Sequence, residues 1–268
     1  MMVAHNAMPV QAMALPTRYT TPMFILKAQD LVKRYGGRTV VDKVSFDVSE
    51  GEIVGLLGRN GAGKTTSFRT VIGMITPEGG SVIFNGQDVT KLPMYQRAQR
   101  GMGYLSQEPS VFQRLTVEQN LIAILATRPM TRVQQRRRAA ELMDQFDLTK
   151  TKRQQARTLS GGERRKLEIA RALIGEPTLM LLDEPFSGVD PVAVEDLQRE
   201  IRRLRDQHQI AMLITDHNVQ RTLEIVDRGY IITEGKVFFA GTPREIITNE
   251  QVKKLYLGST FRGDEFDS

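Results

Sequence analysis

At 268 residues and 40% hydrophobic side chains, the chain can bury one large core or two modest ones. A formal net charge of +6 suits nucleic acid, an anionic membrane surface or a polyphosphate, and selects none of them. Cysteine is absent, which excludes disulfides and thiolate metal sites, and the longest apolar runs, such as Leu121–Ala126 and Leu179–Leu182, are far short of a ~20-residue membrane span.

Residues 1–22 lack periodicity and have no basic stretch leading into an apolar core, so a disordered tail is expected there rather than a signal peptide. Phe24–Lys33 and Thr39–Val48 read as strands around Gly36-Gly37. Ile53–Leu57 is a short buried strand that enters Gly58-Arg59-Asn60-Gly61-Ala62-Gly63-Lys64-Thr65-Thr66, with Ser67–Met74 continuing as a helix. This is G-x-x-x-x-G-K-[ST] in the strand–loop–helix setting that a phosphate loop requires. Backbone N–H groups of residues 60–65 would cradle phosphates. Lys64 would reach the β- and γ-phosphates, and the Thr65 hydroxyl would hold Mg²⁺.

Gly80–Asn85 reads as a strand, Met94–Arg100 as a short helix, and Gly103–Leu105 as a strand leading to Gln107 in a loop. Residues 117–157 read as helical, with Val117–Leu125 and Gln134–Phe146 as two apolar-faced helices. They interrupt a strand–helix alternation, so an inserted helical subdomain over about 108–158 is expected. The basic cluster Arg128, Arg132, Arg136, Arg137 and Arg138 reads as a solvated face; no aromatic interleaves with it, which argues against direct nucleic-acid binding.

Leu159–Asp190 carries the densest signal. Ser160-Gly161-Gly162 precedes a helix whose Leu167, Ala170, Leu173 and Ile174 share a face, with Arg164, Arg165, Lys166 and Glu168 on other faces. The turn is a ready anion site, although Ser160 and Glu163 also fit a plain capping box. Thr178–Leu182 is a buried strand ending in Asp183-Glu184, which is where open α/β sheets place chemistry. Val194, Leu197, Ile201 and Leu204 line the next helix, Ile210–Thr215 ends in Asp216-His217, and Arg228–Thr233 with Lys236–Ala240 form a hairpin. Short helices over Thr242–Ile247 and Gln251–Leu257 follow, then an acidic tail at 259–268. His5 and His208 have no chemical context and read as solvent-exposed.

Over roughly residues 24–258 this order of motifs resembles the ATP-binding-cassette (ABC) ATPases. The resemblance implies an α/β P-loop core with an antiparallel β subdomain and an inserted α-helical subdomain, binding ATP and Mg²⁺. It implies that Tyr35 stacks on adenine, although a plain strand tyrosine is the alternative. Asp183 would help hold Mg²⁺ through its waters. Glu184 would be the general base, His217 would contact the γ-phosphate, and Gln107 would sense Mg²⁺ and the attacking water. Ser160, Gly161 and Gly162 would cap an ATP held by a second subunit, with Asp190 across the interface, so a head-to-tail homodimer is implied.

LPMYQRAQRGMGYLSQEPSVFQRLTVEQNL, LLDEPFSGVDP, ITDHNVQRTLEIVDRGYIITEGKVFFAGTP and VKKLYLG look closely like the ATPases of lipopolysaccharide exporters. That implies a place on the cytoplasmic face of the inner membrane with two transmembrane permease subunits. Phe112 is the candidate anchor for them, with packing inside the insert as its alternative. Arg59, Ser106 and Ser187 depart from the pattern, and none of them removes a catalytic group. A branched-chain amino-acid importer ATPase shares most motifs, and a soluble ABC factor acting on nucleic acid or ribosomes usually carries two cassettes where this chain has one.

Overall fold

The structure, a computed structural model, describes residues 24–257; His5 and the tails expected at 1–22 and 259–268 lie outside the described residues. β1 (Phe24–Tyr35) and β2 (Arg38–Ser49) pair as a long antiparallel hairpin. There follow β3 (Ile53–Leu57), α1 (Lys64–Ile72), β4 (Gly79–Phe84), a two-residue β5 (Gln87–Asp88), α2 (Met94–Gln99) and β6 (Met102–Leu105). Next come α3 (Val117–Leu125), α4 (Arg132–Gln145), α5 (Gly161–Leu173), β7 (Leu179–Asp183), α6 (Pro191–His208), β8 (Ala211–Thr215) and α7 (Val219–Leu223). β9 (Arg228–Thr233), β10 (Lys236–Gly241), α8 (Pro243–Thr248) and α9 (Glu250–Val252) complete the described elements, with one wider turn at Lys253–Leu257.

The strands form two sheets. One is antiparallel, in the order β2-β1-β4-β5; the other has six strands, β10-β9-β3-β8-β7-β6. In the six-stranded sheet β9, β3, β8, β7 and β6 run parallel and β10 returns antiparallel. Successive residues of its central strands enter two different cores. Ile53, Leu57, Met180, Leu182, Met212 and Ile214 pack on the side of α3–α6. Val54, Leu56, Leu179, Leu181, Ala211 and Leu213 pack against α1 and the antiparallel sheet. Burial on both faces explains the uninterrupted apolar runs in the sequence. A slip of one residue would exchange the two side-chain sets, so strand register is strongly specified.

Two expectations need correction. The helical run over 117–157 breaks after α4: Asp147 takes a left-handed φ of 57°, and the chain returns without helix until Gln155 bridges back to Thr116, ahead of one 3-10 turn at Ala156–Thr158. The helix after the phosphate loop starts at Lys64 rather than Ser67, because Gly63 (φ 106°) is already its cap.

Candidate active site

Sheet order, not chain order, assembles the site. Across β3, β8, β7 and β6 the C-terminal strand ends carry the Gly58–Thr66 loop, Asp216-His217, Asp183-Glu184 and the segment with Gln107. These are neighbouring parallel strands, so four distant stretches of sequence open onto one edge.

Two of the loop's glycines, Gly58 and Gly63, are fixed by close approach. A Cβ on Gly58 would lie 2.2 Å from the Ile232 carbonyl, and one on Gly63 would lie 2.7 Å from the Val40 carbonyl. No side chain caps the N-terminus of α1, whereas Thr116, Thr131, Ser160, Asp190 and Thr242 cap α3, α4, α5, α6 and α8. The open amides of Lys64, Thr65 and Thr66 therefore suit an anion such as phosphate. Asn60, Gly61 and Thr65 are exposed, Ala62 is buried and Thr66 half-buried. The Lys64 ammonium donates to the carbonyls of Gly58 (2.6 Å) and Arg59 (3.1 Å). Burial pushes its pKa down, opposed by the carboxylates of Glu184, Asp216 and Asp183. Tyr35 is 48% exposed at the tip of the β1–β2 hairpin, the hairpin whose Val40 carbonyl leaves no room for a Cβ on Gly63.

Asp183 is buried, and its Oδ1 accepts from the Thr215 hydroxyl at 2.8 Å. Glu184 takes a left-handed φ of 46°, uncommon outside glycine, while its N–H donates to the Thr215 carbonyl at 2.8 Å. Its Oε2 accepts from Gln107 Nε2 at 2.8 Å and lies 3.4 Å from His217 Nδ1. One carboxylate oxygen thus lies beside both Gln107 and His217. Asp216, 3.5 Å from the same His217 nitrogen, accepts from the Asn218 amide at 2.8 Å, and burial pushes its carboxyl up. Among the described residues no cluster of three or more His, Asp or Glu side chains could cage a metal. Thr65, Gln107 and Asp183, the residues expected to hold Mg²⁺, would offer the few oxygen donors that suit a Mg²⁺ shared with phosphates.

The ABC transporter family model matches residues 41–187. The chain is 49% identical over 241 residues to the lipopolysaccharide export system ATP-binding protein LptB of Haemophilus influenzae, covering 90% of this chain and 100% of that protein. It is 50% identical over 241 residues to LptB of Escherichia coli K12, with the same coverage.

The chain belongs to the ABC transporter family.

The fold agrees: the structure matches MJ1267, an ATP-binding cassette of an ABC transporter, with a TM-score of 0.80 and 26% identity over 88% of this chain and 100% of that one. As an ABC ATPase, the chain hydrolyses ATP to drive transport.

In this ABC ATPase the Ser160 turn is a complete capping box. Ser160 Oγ accepts from the Glu163 amide, and Glu163 Oε2 accepts from the Ser160 amide and hydroxyl, both at 2.9 Å. A cavity of about 150 Å³ beside it is lined by Ser160, Gly162, Glu163, Lys166 and Ala193, with no residue of the phosphate loop. Asp190 caps α6 from an exposed position.

Sequence reasoning missed the polar stripe of α5. Arg165 and Glu168, expected away from the core, are buried and paired at 2.9 Å. Arg165 also donates to the Ser106 carbonyl (2.8 Å), and Glu168 accepts from the Ser110 amide (2.7 Å). Arg171 donates to the Ser110 carbonyl (2.5 Å) and stacks over the Phe112 ring at 4.7 Å. The stripe therefore follows the backbone on both sides of Gln107. Its signal was the spacing 165, 168, 171, which puts three charges on one face; the same spacing usually marks a solvated face.

Phe112 is 44% exposed, so the reading that packs it inside the insert fails. Its backbone is the buried part: buried Asn120 accepts from the Phe112 amide (2.8 Å) and donates to its carbonyl (3.1 Å). Tyr256 was also missed: its hydroxyl accepts from the Gly58 amide at 2.8 Å, and burial pushes its pKa up to about 12. Arg128, Arg132, Arg136 and Arg137 are exposed, as are Arg59, Ser187 and His208.

Proposed function

We propose that the chain is the ATP-hydrolysing subunit of a lipopolysaccharide exporter. It works as a nucleotide-sandwich homodimer on the cytoplasmic face of the inner membrane, with two transmembrane permease subunits. The carrying observation is half-identity along the full length of two LptB proteins. Among the described residues no helix is long and apolar enough to cross a membrane.

In this reading the loop amides and Lys64 hold the phosphates of ATP, and Tyr35 stacks on adenine. Mg²⁺, held at Thr65, Gln107 and Asp183, would neutralise phosphate charge. A water held by Glu184 and His217 gives its proton to Glu184 as its oxygen bonds to the γ-phosphorus. The bond to the bridging oxygen breaks, and its electron pair leaves with ADP. The Ser160–Gly162 turn closes on the partner's ATP, so nucleotide bound by both subunits favours the closed pair.

The permease dock is a cleft of about 510 Å³ lined by Met94, Ala98, Tyr104, Ile124, Arg171 and Pro177. Arg171 joins it to the exposed Phe112 ring, an aromatic anchor of the kind that carries interface energy. Phe112→Ala should leave the isolated subunit's thermal stability and basal ATP hydrolysis unchanged, while recovery with the lipopolysaccharide permease subunits and lipid extraction both fall. A stable variant that still assembles and transports takes Phe112 out of the interface.

A further inference from the structure

Arg97 is among the largest fully buried side chains, yet no carboxylate among the described residues hydrogen-bonds to it; Asp88 acts on it only at longer range. Its guanidinium spends its donors on neutral carbonyls. One terminal nitrogen donates to Thr70 (2.8 Å) and Val71 (2.5 Å), the other to Thr90 (2.9 Å), and Nε to Leu92 (2.9 Å). Thr70 and Val71 lie in the last turn of α1, the helix that begins at the phosphate loop. Four N-terminal amides of such a helix face the anion end, and the carbonyls of its last turn carry the opposite partial charge. Arg97 places a cation against that negative end.

A second observation shows that the contact is built in. Gly73, which caps α1 with φ 86°, could not carry a side chain there: a Cβ would lie 2.8 Å from Arg97 Nε and 2.9 Å from the Leu92 carbonyl. α1 already has a cap of its own, since the Gly73 and Met74 amides reach back to Thr70 and Arg69. A buried guanidinium is not needed to end the helix, and removing it from water is costly. It does something a cap does not: it ties α1 to α2. The same α2 presents Met94, Ala98 and Gln99 to the 510 Å³ cleft. It also runs directly into β6, whose end leads to Gln107.

We propose that Arg97 is a positioning residue that links the phosphate-loop helix rigidly to the wall of the cleft, so that nucleotide binding at one end of α1 shifts the α2 surface at the other. A planar fork bridging four carbonyls transmits displacement because it fixes distance and orientation together. The link from ATP to α2 stands without the lipid assignment. Only its last step, from α2 to a membrane partner, rests on the proposed dock.

The test uses the full-length chain and nucleotide alone. The chain contains no tryptophan, so Gln99→Trp, at an exposed cleft position, supplies a single reporter. Its emission should change saturably with a non-hydrolysable ATP analogue and Mg²⁺. Adding Arg97→Met should cut that change about fivefold while affinity, read by a fluorescent nucleotide, stays within about threefold. Arg97→Lys should restore part of it. A silent reporter in the parent, or a full response in folded Arg97→Met, overturns the proposal. If Arg97→Met does not fold, Arg97→Lys decides: a full response removes the need for the fork, and failure of both variants to fold makes Arg97 a structural cap only. A transport assay has no part in this experiment, so loss of the exporter reading and loss of the Arg97 link appear as separate results.

Discussion

The row of strand ends and the α5 arm hold functional groups by different physics. Asp183, Glu184, Asp216 and His217 sit where apolar registration of β7 and β8 leaves them; the side chains behind them are fully buried hydrocarbon. The Gln107 loop hangs instead on directed polar contacts from Arg165, Glu168 and Arg171. Burial of the strands on both faces fixes the register of the whole row at once, whereas a contact between a buried ion pair and backbone is satisfied in one geometry and is lost when a single partner moves. The first region suits chemistry that must stay in place. The second suits a loop that must report on it, because Gln107 touches Glu184 on one side and its flanks touch α5 on the other.

The largest expected effect separates chemistry from scaffold. Glu184→Gln keeps the size of the side chain and removes its basicity. Turnover should fall about 10²–10⁴-fold, with ATP binding and thermal stability near those of the parent. Phosphate release and nucleotide binding, measured on one preparation, decide the matter. Turnover within tenfold of the parent would move the base elsewhere.

The arm should respond in the opposite way. Glu168→Ala leaves Arg165 buried beside a lost partner and the Ser110 amide without its acceptor. We expect a stability loss of about 3 kcal/mol in urea unfolding. Replacing both partners, with Arg165→Met added, should recover part of that loss, because the uncompensated charge is gone. A double variant as unstable as the single would show that the Arg165 contact to the Ser106 carbonyl, not the ion pair, holds the arm.

Much of the row was legible in the sequence because each piece has a local signature. Gly58 and Gly63 announce the loop, and Thr178–Leu182 announces a strand buried on both faces. The contact of Gln107 with Glu184 was not legible: it follows from β6 and β7 being neighbours in the sheet, whereas the sequence offered only Gln107 as a sensor of Mg²⁺ and water. The arm was not legible. Arg165 and Glu168 lie on a helix whose apolar positions already account for its packing, and a buried charged face has the same composition as a solvated one. Arg97 and Tyr256 were hidden for another reason: their partners are backbone groups of Thr70, Val71 and Gly58, which no residue identity reveals.

The smallest expected effect on the fold bears on the Ser160 turn, where capping and ligand binding use one hydroxyl. Ser160 caps α5, so Ser160→Ala should destabilise the chain by about 1 kcal/mol in either role. Ser160→Asn separates the roles, since asparagine caps as well as serine but lacks the hydroxyl and adds bulk beside Gly161 and Gly162. Stability should stay within about 0.5 kcal/mol of the parent. If the turn also closes on the ATP of a second subunit, hydrolysis should fall by about tenfold or more, and the loss should be steeper at low protein concentration, where the dimer is scarce. Single-subunit nucleotide binding should not change, because the cavity at Ser160 shares no lining residue with the phosphate loop. Hydrolysis equal to the parent's at every protein concentration would leave Ser160 a cap and nothing more. The interface would then have to be sought on another face of α5.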